Sequence, residues 1–180
     1  MSAPSLSRAQ LSIPRKGPWD LPGALYFYGG ALSSFAPTPG LVLPESWHGH
    51  PNPAPVVPVP TVEHWFQASK ASCRQDFFWV LSAPSARSAK RRGGCLGERG
   101  RTITLRPDWE QIKFAVMRYA HTRKHELPLY REELPATGED VLVEDSPTDY
   151  IWGGRDRRGG YEGRNLLGIA LMEVRAALAS

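Results

Sequence analysis

Apolar positions recur with helical spacing in three stretches of the chain. Residues 61–70 read TVEHWFQASK, where Val62, Trp65 and Phe66 make one oily side and Thr61 is placed to cap the first turn. Pro107 opens the longest pattern, about 107–126, with Trp109, Ile112, Val116 and Ala120 on one face and Pro128 as its stop. Near the C-terminus, Leu167, Ala170, Leu171, Val174 and Leu178 form an apolar stripe behind Asn165, the expected N-cap. A shorter helix is predicted from Ser82-Ala83-Pro84 to Gly93-Gly94, and another at LYREEL, 129–134. Strand signals are brief: ALYFY at 24–28 ahead of Gly29-Gly30, TITL at 102–105 and VLVE at 141–144. The pattern predicts a mainly α protein with small β elements.

Two segments fit neither period. Eight of the 17 prolines fall within residues 37–60, a density that predicts an extended loop rather than a helix or central strand. Residues 145–164, DSPTDYIWGGRDRRGGYEGR, predict a long glycine-rich loop carrying Asp149, Trp152, Arg155, Arg157, Arg158 and Arg164. Loops of that length inside a domain are usually functional. This one leads into a helix N-terminus at GRNLLG, where free N–H groups favour an anion. Residues 1–22 are polar and proline-broken and predict a flexible tail, leaving 23–180 as one domain.

Composition narrows the class. With 41% hydrophobic and 22% charged residues the chain is expected to be an ordinary soluble protein. A net charge of +4 suits an anionic ligand without requiring one. Two cysteines, Cys73 and Cys95, are too few for a disulfide scaffold or a thiolate zinc site, and His121 and His125 lack the glutamate of HExxH. No metal and no cofactor is expected. No signal-peptide core or 18-residue apolar run occurs, which predicts a cytoplasmic protein with free thiols, a monomer by default.

Candidate chemistry sits beside the oily side of 61–70. At about 100° per residue, Glu63, Gln67 and Lys70 fall within roughly 60° of one another. Such a line is either a wet surface or the wall of a site.

Six segments, in order, resemble the NADAR (YbiA-like) family: FYGGALSSF (27–35), TVEHWFQASK (61–70), AKRRGG (89–94), DWEQIKFAVM (108–117), TG…LVEDSPTDYIWG (137–153) and GRNLLGIALMEVR (163–175). The chain departs from the family pattern at Ser34, where the family has asparagine, and at Gly94, where it has arginine. Arg91 and Arg92, or Arg99 and Arg101, are candidates to supply that missing charge.

The resemblance implies a YbiA-like multihelical domain that hydrolyses N-glycosidic bonds. The implied substrate is ADP-ribose carried on guanine bases, as left on DNA by ADP-ribosylating toxins. Ribosylamino-pyrimidine intermediates of riboflavin synthesis are the alternative substrate, and a non-catalytic ADP-ribose or NAD reader is the alternative role. It implies Lys70 as a nucleophile that forms an imine with the ribose, supported by Glu63 and Asp149. Tyr28, Gly30, Ser33, Phe35, Gln67, Trp109, Trp152, Gly153 and Asn165 are the implied ligand wall. An ordinary lysine, with a pKa of about 10.4, is almost wholly protonated at pH 7, so imine chemistry asks for burial or cationic neighbours.

Overall fold

A computed structural model describes residues 24–49, 54–157 and 160–179. The expected tail, residues 1–22, and Arg158 lie outside the described residues. Five α-helices and six short strands are present among those described, in keeping with a mainly α class. They form two compact units, one running from Ser34 to Lys124 and the other combining the residues before and after it.

In the Ser34–Lys124 unit, β2 (Val42–Pro44) and β3 (Val56–Pro58) pair antiparallel, with Leu43 opposite Val57. The proline-rich segment is therefore partly a ladder, not only the loop its composition predicts. Proline is tolerated because each strand of a two-stranded ladder has an open edge. The bonds that close it come from non-proline donors: Glu45 N to Pro55 O at 2.8 Å and Val59 N to Leu41 O at 3.0 Å.

Helix α1 (Val62–Ala68) starts as expected, with the Thr61 hydroxyl accepting from His64 N. Its seven residues are all buried, so it has no solvent face. The Trp65 indole donates to Pro44 O at 2.8 Å and fastens β2 to its back.

Helix α2 (Arg74–Leu81) has no counterpart in the sequence reading. Its N-cap, Cys73, makes no side-chain capping bond, and FFWVL is a continuous apolar run whose period is unreadable. Helix α3 (Ala86–Arg92) begins three residues later than the Ser82-Ala83-Pro84 signal suggested, because Ser85 caps it by accepting from Ser88 N. TITL forms no strand. It makes an isolated bridge from Leu105 to Ala71, with Ser72 N donating to Thr104 O and Arg106 N to Lys70 O at 2.8 Å.

Helix α4 (Trp109–His125) matches its predicted span, yet its most buried side chains include His121, Lys124 and His125 as well as Met117 and Ala120. Ile112 and Val116, expected on the buried face, are only half-buried. Ser34, the first residue of the unit, is buried against this helix, with its hydroxyl 3.0 Å from His121 Nε2.

In the other unit, β1 (Ala24–Phe27) lies parallel to β4 (Val141–Glu144), and α5 (Leu166–Leu178) packs on β4. Gly168 permits that approach, since a Cβ there would strike Leu142 O. Leu167, Ala170, Leu171 and Val174 are buried as expected, while Leu178 at the helix end is half out. The segment LYREEL forms turns, and only Pro135–Thr137 winds into a short 3-10 helix. Burial of Tyr130 and Leu134 satisfies the spacing that suggested a helix.

The glycine-rich segment 145–164 is not structureless. Gly154–Arg157 and Gly160–Gly163 form an antiparallel pair, β5 and β6, so Arg155 and Arg157 enter as strand residues. Glycines at both ends of the register let the backbones close; a Cβ on Gly163 would meet Gly153 O.

Candidate active site

Within the Ser34–Lys124 unit, α1 carries Glu63 and Gln67 on an edge that is not wet, while Lys70, expected on the same helical stripe, lies in the turn after the helix ends at Ala68 and meets that edge through Gly93. Glu63 and Gln67 are each 5% exposed and Lys70 is half-buried. Gln67 Nε2 donates to Glu63 Oε1 at 2.9 Å, the i,i+4 contact the helix allows. Glu63 N donates to Ser34 O at 2.8 Å, which ties the first turn of α1 to the chain beside Phe35.

Gln67 Oε1 is buried and has no hydrogen-bond partner among the described residues. A buried acceptor left unmatched is costly, and such groups in native proteins usually have a reason. It lies against Gly93, the C-cap of α3, where any Cβ would sit only 2.8 Å from Gln67 Cβ and still closer to Oε1.

Lys70 follows the end of α1, and its backbone is fixed on two sides. Its N–H donates to Gln67 O at 3.3 Å, and its carbonyl accepts from Arg106 N at 2.8 Å. The ammonium donates to Gly93 O at 3.3 Å and stands 5.7 Å from the Phe66 ring centre and 5.8 Å from that of Trp109. Those two rings are 5.0 Å apart and tilted by 60°. Trp109 is 5% exposed, so it serves as core and as wall to the lysine at once. Phe35 is 40% exposed, with Lys90 Nζ 6.0 Å above its ring. Gly93 and Phe66 were not among the expected site residues. Gly93 was visible inside AKRRGG, but only contact with Gln67 and Lys70 gives it a role.

A cavity of about 420 Å³ lies on the opposite side of α1, lined by Pro44, Trp47, Trp65, Arg106 and Tyr119 among others. It contains none of the polar edge. Trp65 is two residues from Gln67 and projects the other way, as helical geometry requires.

His64, also on α1, belongs to the scaffold. Its Nε2 reaches Ala83 O at 3.1 Å and its Nδ1 reaches the Thr61 hydroxyl at 2.8 Å. A carbonyl can only accept, so Nε2 carries the proton and the Thr61 hydroxyl donates to Nδ1. Burial holds its pKa below the usual histidine value, the Ala83 bond works against that, and the charge of Arg92 adds to the lowering. The ring is neutral.

The other expected residues lie in the second unit. Tyr28 is 59% exposed, next to Gly29 and Gly30, whose φ values of 95° and 66° make the turn. Ser33 is buried, and its N–H donates to Gly30 O. Asp149 Oδ1 accepts from Trp152 N at 3.0 Å and Ile151 N at 3.2 Å, while Asp149 N donates to Ser146 Oγ at 3.0 Å. The carboxylate thus shapes the turn that presents Trp152, which is half-buried. Gly153 is required by packing: a Cβ would stand 2.6 Å from Glu144 O and 2.8 Å from Ser146 Cβ.

Asn165 sits at the N-cap position of α5, but its side chain caps nothing. With φ 51° it turns its amide onto β4, accepting from Glu144 N at 3.0 Å and donating to Leu142 O at 2.8 Å. Sequence spacing finds an N-cap asparagine, whereas the fold uses this one as a brace.

Among the described residues no group of three or more His, Cys, Asp or Glu is placed to hold a metal, and no helix is long and apolar enough to cross a membrane. Cys73 and Cys95 are unpaired and exposed.

The NADAR domain model matches residues 29–179. The chain is 33% identical over 157 residues to N-glycosidase Npun_R5314 of Nostoc punctiforme, covering 84% of this chain and 90% of that one. It is 36% identical over 152 residues to N-glycosidase YbiA of Escherichia coli, covering 83% and 82%. The riboflavin biosynthesis protein PYRR of Zea mays is 37% identical over 126 residues, 66% of this chain but 20% of that longer protein. The solution NMR structure of E. coli YbiA superposes with a TM-score of 0.63 at 33% identity, covering 86% of this chain and 83% of that one.

Proposed function

The chain belongs to the NADAR family, and on that footing we propose that it is an N-glycosidase that removes ADP-ribose from guanine bases through an imine on Lys70. The observation that carries the proposal is the buried edge of α1. A carboxylate and an amide oxygen without a partner share one side of a helix that has no solvent face, and the lysine in the turn after it bonds to Gly93, which lies against that amide. A ribose hydroxyl is the donor Gln67 Oε1 lacks.

The bonds balance as follows. The neutral Lys70 amine attacks the anomeric carbon, the carbon–nitrogen bond to the base breaks, and the base leaves with a proton. The sugar ring opens to an imine with Lys70, and water adds to that imine to release the sugar aldehyde and the free amine. Glu63 faces the positive charge that builds on the sugar, and Asp149 is proposed as a further catalytic carboxylate. Phe66 and Trp109 wall the lysine and limit its hydration. Tyr28, Gly30, Ser33, Phe35, Trp152, Gly153 and Asn165 are proposed as further ligand-binding residues, Asn165 through the segment it braces. No cofactor enters the scheme. The protein works as a monomer in the cytoplasm, where both thiols stay reduced.

Similarity to PYRR favours a second substrate, a ribosylamino-pyrimidine, cleaved by the same residues. One experiment separates the readings. An oligonucleotide with ADP-ribose on one guanine and, in parallel, a ribosylamino-pyrimidine are incubated with wild type and Lys70→Ala, with and without borohydride; products and adducts are followed by mass, and ADP-ribose binding by calorimetry. Release by wild type with an adduct that requires Lys70 supports the proposal. Release by Lys70→Ala at the wild-type rate eliminates the imine. Cleavage of the pyrimidine alone transfers the assignment to the second substrate, and ADP-ribose binding without cleavage of either identifies a reader.

A further inference from the structure

We infer that the face built by α2, α3 and the turn at 98–101 binds the phosphate backbone of single-stranded DNA and leads it to Lys70. The inference deepens the glycosidase reading by naming what carries the modified base. Between Arg74 and Arg106 the chain has eight arginines and lysines against two acids, whereas the whole chain has 22 against 18. The remainder is net acidic, so the positive charge is concentrated in this one segment.

The two acids organise the cations rather than cancel them. Glu98 accepts from Arg91 Nη2 and Arg92 Nε, both at 2.7 Å, and from Ser88 Oγ. Asp76 accepts from Arg101 Nη2 at 2.9 Å and Thr104 N at 2.9 Å. The Trp79 ring has the guanidinium of Arg101 at 4.3 Å and that of Arg92 at 5.3 Å, which fixes both planes. Arg87 and Arg91 are one turn apart on α3 and exposed.

Arg99 supplies a separate observation. It is exposed at the tip of a turn closed by Glu98 N to Arg101 O at 2.9 Å and Arg101 N to Glu98 O at 3.1 Å. Its φ is 52° and that of Gly100 is 76°, so an arginine occupies a left-handed position that glycine or asparagine would fill without strain. Neither the Arg87 nor the Arg99 side chain has a hydrogen bond or ion pair among the described residues. Guanidinium groups held in fixed planes, with exposed charges beside them, fit a row of phosphates. The row ends at the chemistry, because Gly93, which closes α3, accepts the Lys70 ammonium. A single strand suits this arrangement, since a base adduct must leave the stack before its glycosidic bond can be reached.

The test is fluorescence anisotropy of the full chain with an unmodified 12-nucleotide single-stranded DNA over a range of salt. Engagement of Arg87, Arg91, Arg99 and Arg101 predicts a slope of log K against log salt of about −3, at about 0.7 per phosphate. Arg87→Gln/Arg99→Gln should weaken binding and flatten the slope by about 1.4, with an unchanged melting temperature. Arg87→Lys/Arg99→Lys should retain the slope. No binding at low salt, the same slope in the glutamine variant, or tighter binding to RNA or anionic phosphatidylserine vesicles than to DNA overturns the inference. Turnover is not read, so failure here leaves the glycosidase reading standing, and failure of hydrolysis leaves this result interpretable.

Discussion

Gly93→Ala tests the α1 edge most directly, because two opposing effects have separable sizes. Gly93 has φ −82° and ψ −2°, a conformation alanine adopts without strain. On backbone entropy alone the substitution would stabilise by about 0.4–1 kcal/mol. The new Cβ, however, would lie 2.8 Å from Gln67 Cβ and 3.2 Å from Gln67 Cδ, with the amide oxygen closer still. Gln67 Cβ is rooted in a buried helix and cannot swing aside, so α3 or α1 must move by about 1 Å, an overpacking cost of about 1–3 kcal/mol. The net is a loss of up to about 2.6 kcal/mol, or up to about 10 °C in Tm for a chain this size. Activity should fall further than stability, by about 100-fold, since a shift of that size misplaces Gln67 and the Gly93 carbonyl that holds Lys70. Gly94→Ala is the control, because its Cβ would meet only the Lys90 and Arg91 carbonyls at 3.2 and 3.3 Å. Thermal melts and kcat/KM on the ADP-ribosylated oligonucleotide check both variants. A Gly93→Ala protein that melts at or above wild type and turns over normally would refute the packing argument and the role given to this edge.

Lys70→Ala should lower ADP-ribose release by at least about 100-fold and abolish the borohydride-trapped adduct, read by mass. Asn165→Ala removes two side-chain hydrogen bonds to the β4 backbone and puts alanine in a left-handed conformation, a loss of about 3 kcal/mol, whereas Asn165→Gly should lose less by keeping the backbone relaxed; urea titration ranks them. For His64 the folded pKa is depressed, so its share of stability is full above the unfolded value of about 6.5 and is lost as pH falls through the lower folded value. Tm should therefore decline below pH 6.5, and His64→Gln should flatten that decline. Glu98 is pulled from 4.5 down to about 2 by hydrogen bonds from Arg92, Arg91 and Ser88, so its contribution is present above pH 4.5 and disappears towards pH 2. Glu98→Ala should lower Tm at pH 7 and converge with wild type in acid.

The sequence by itself determined the elements whose signals are local. Thr61, Pro107 and Pro128 mark helix limits through capping and the missing proline N–H, and the stripe from Leu167 to Val174 repeats with a clean helical period. The placing of Glu63 and Gln67 on one side of α1 is likewise a property of 3.6 residues per turn, whereas Lys70 lies past the helix end and is positioned by the turn and by Gly93. Whether that side is wet is not local. Burial of all of α1 depends on the proline-rich β2–β3 ladder fastened to its back through Trp65 and on α3 closing over Gln67 at Gly93, contacts between residues far apart in the chain. Only the tertiary structure could turn the Asn165 side chain from a helix cap into a brace on β4. Packing also buried Lys124 and His121 on α4, where a binary pattern reads polar residues as outside. In each case the deciding energy is a long-range contact or a buried hydrogen bond, larger than the local preference it overrides.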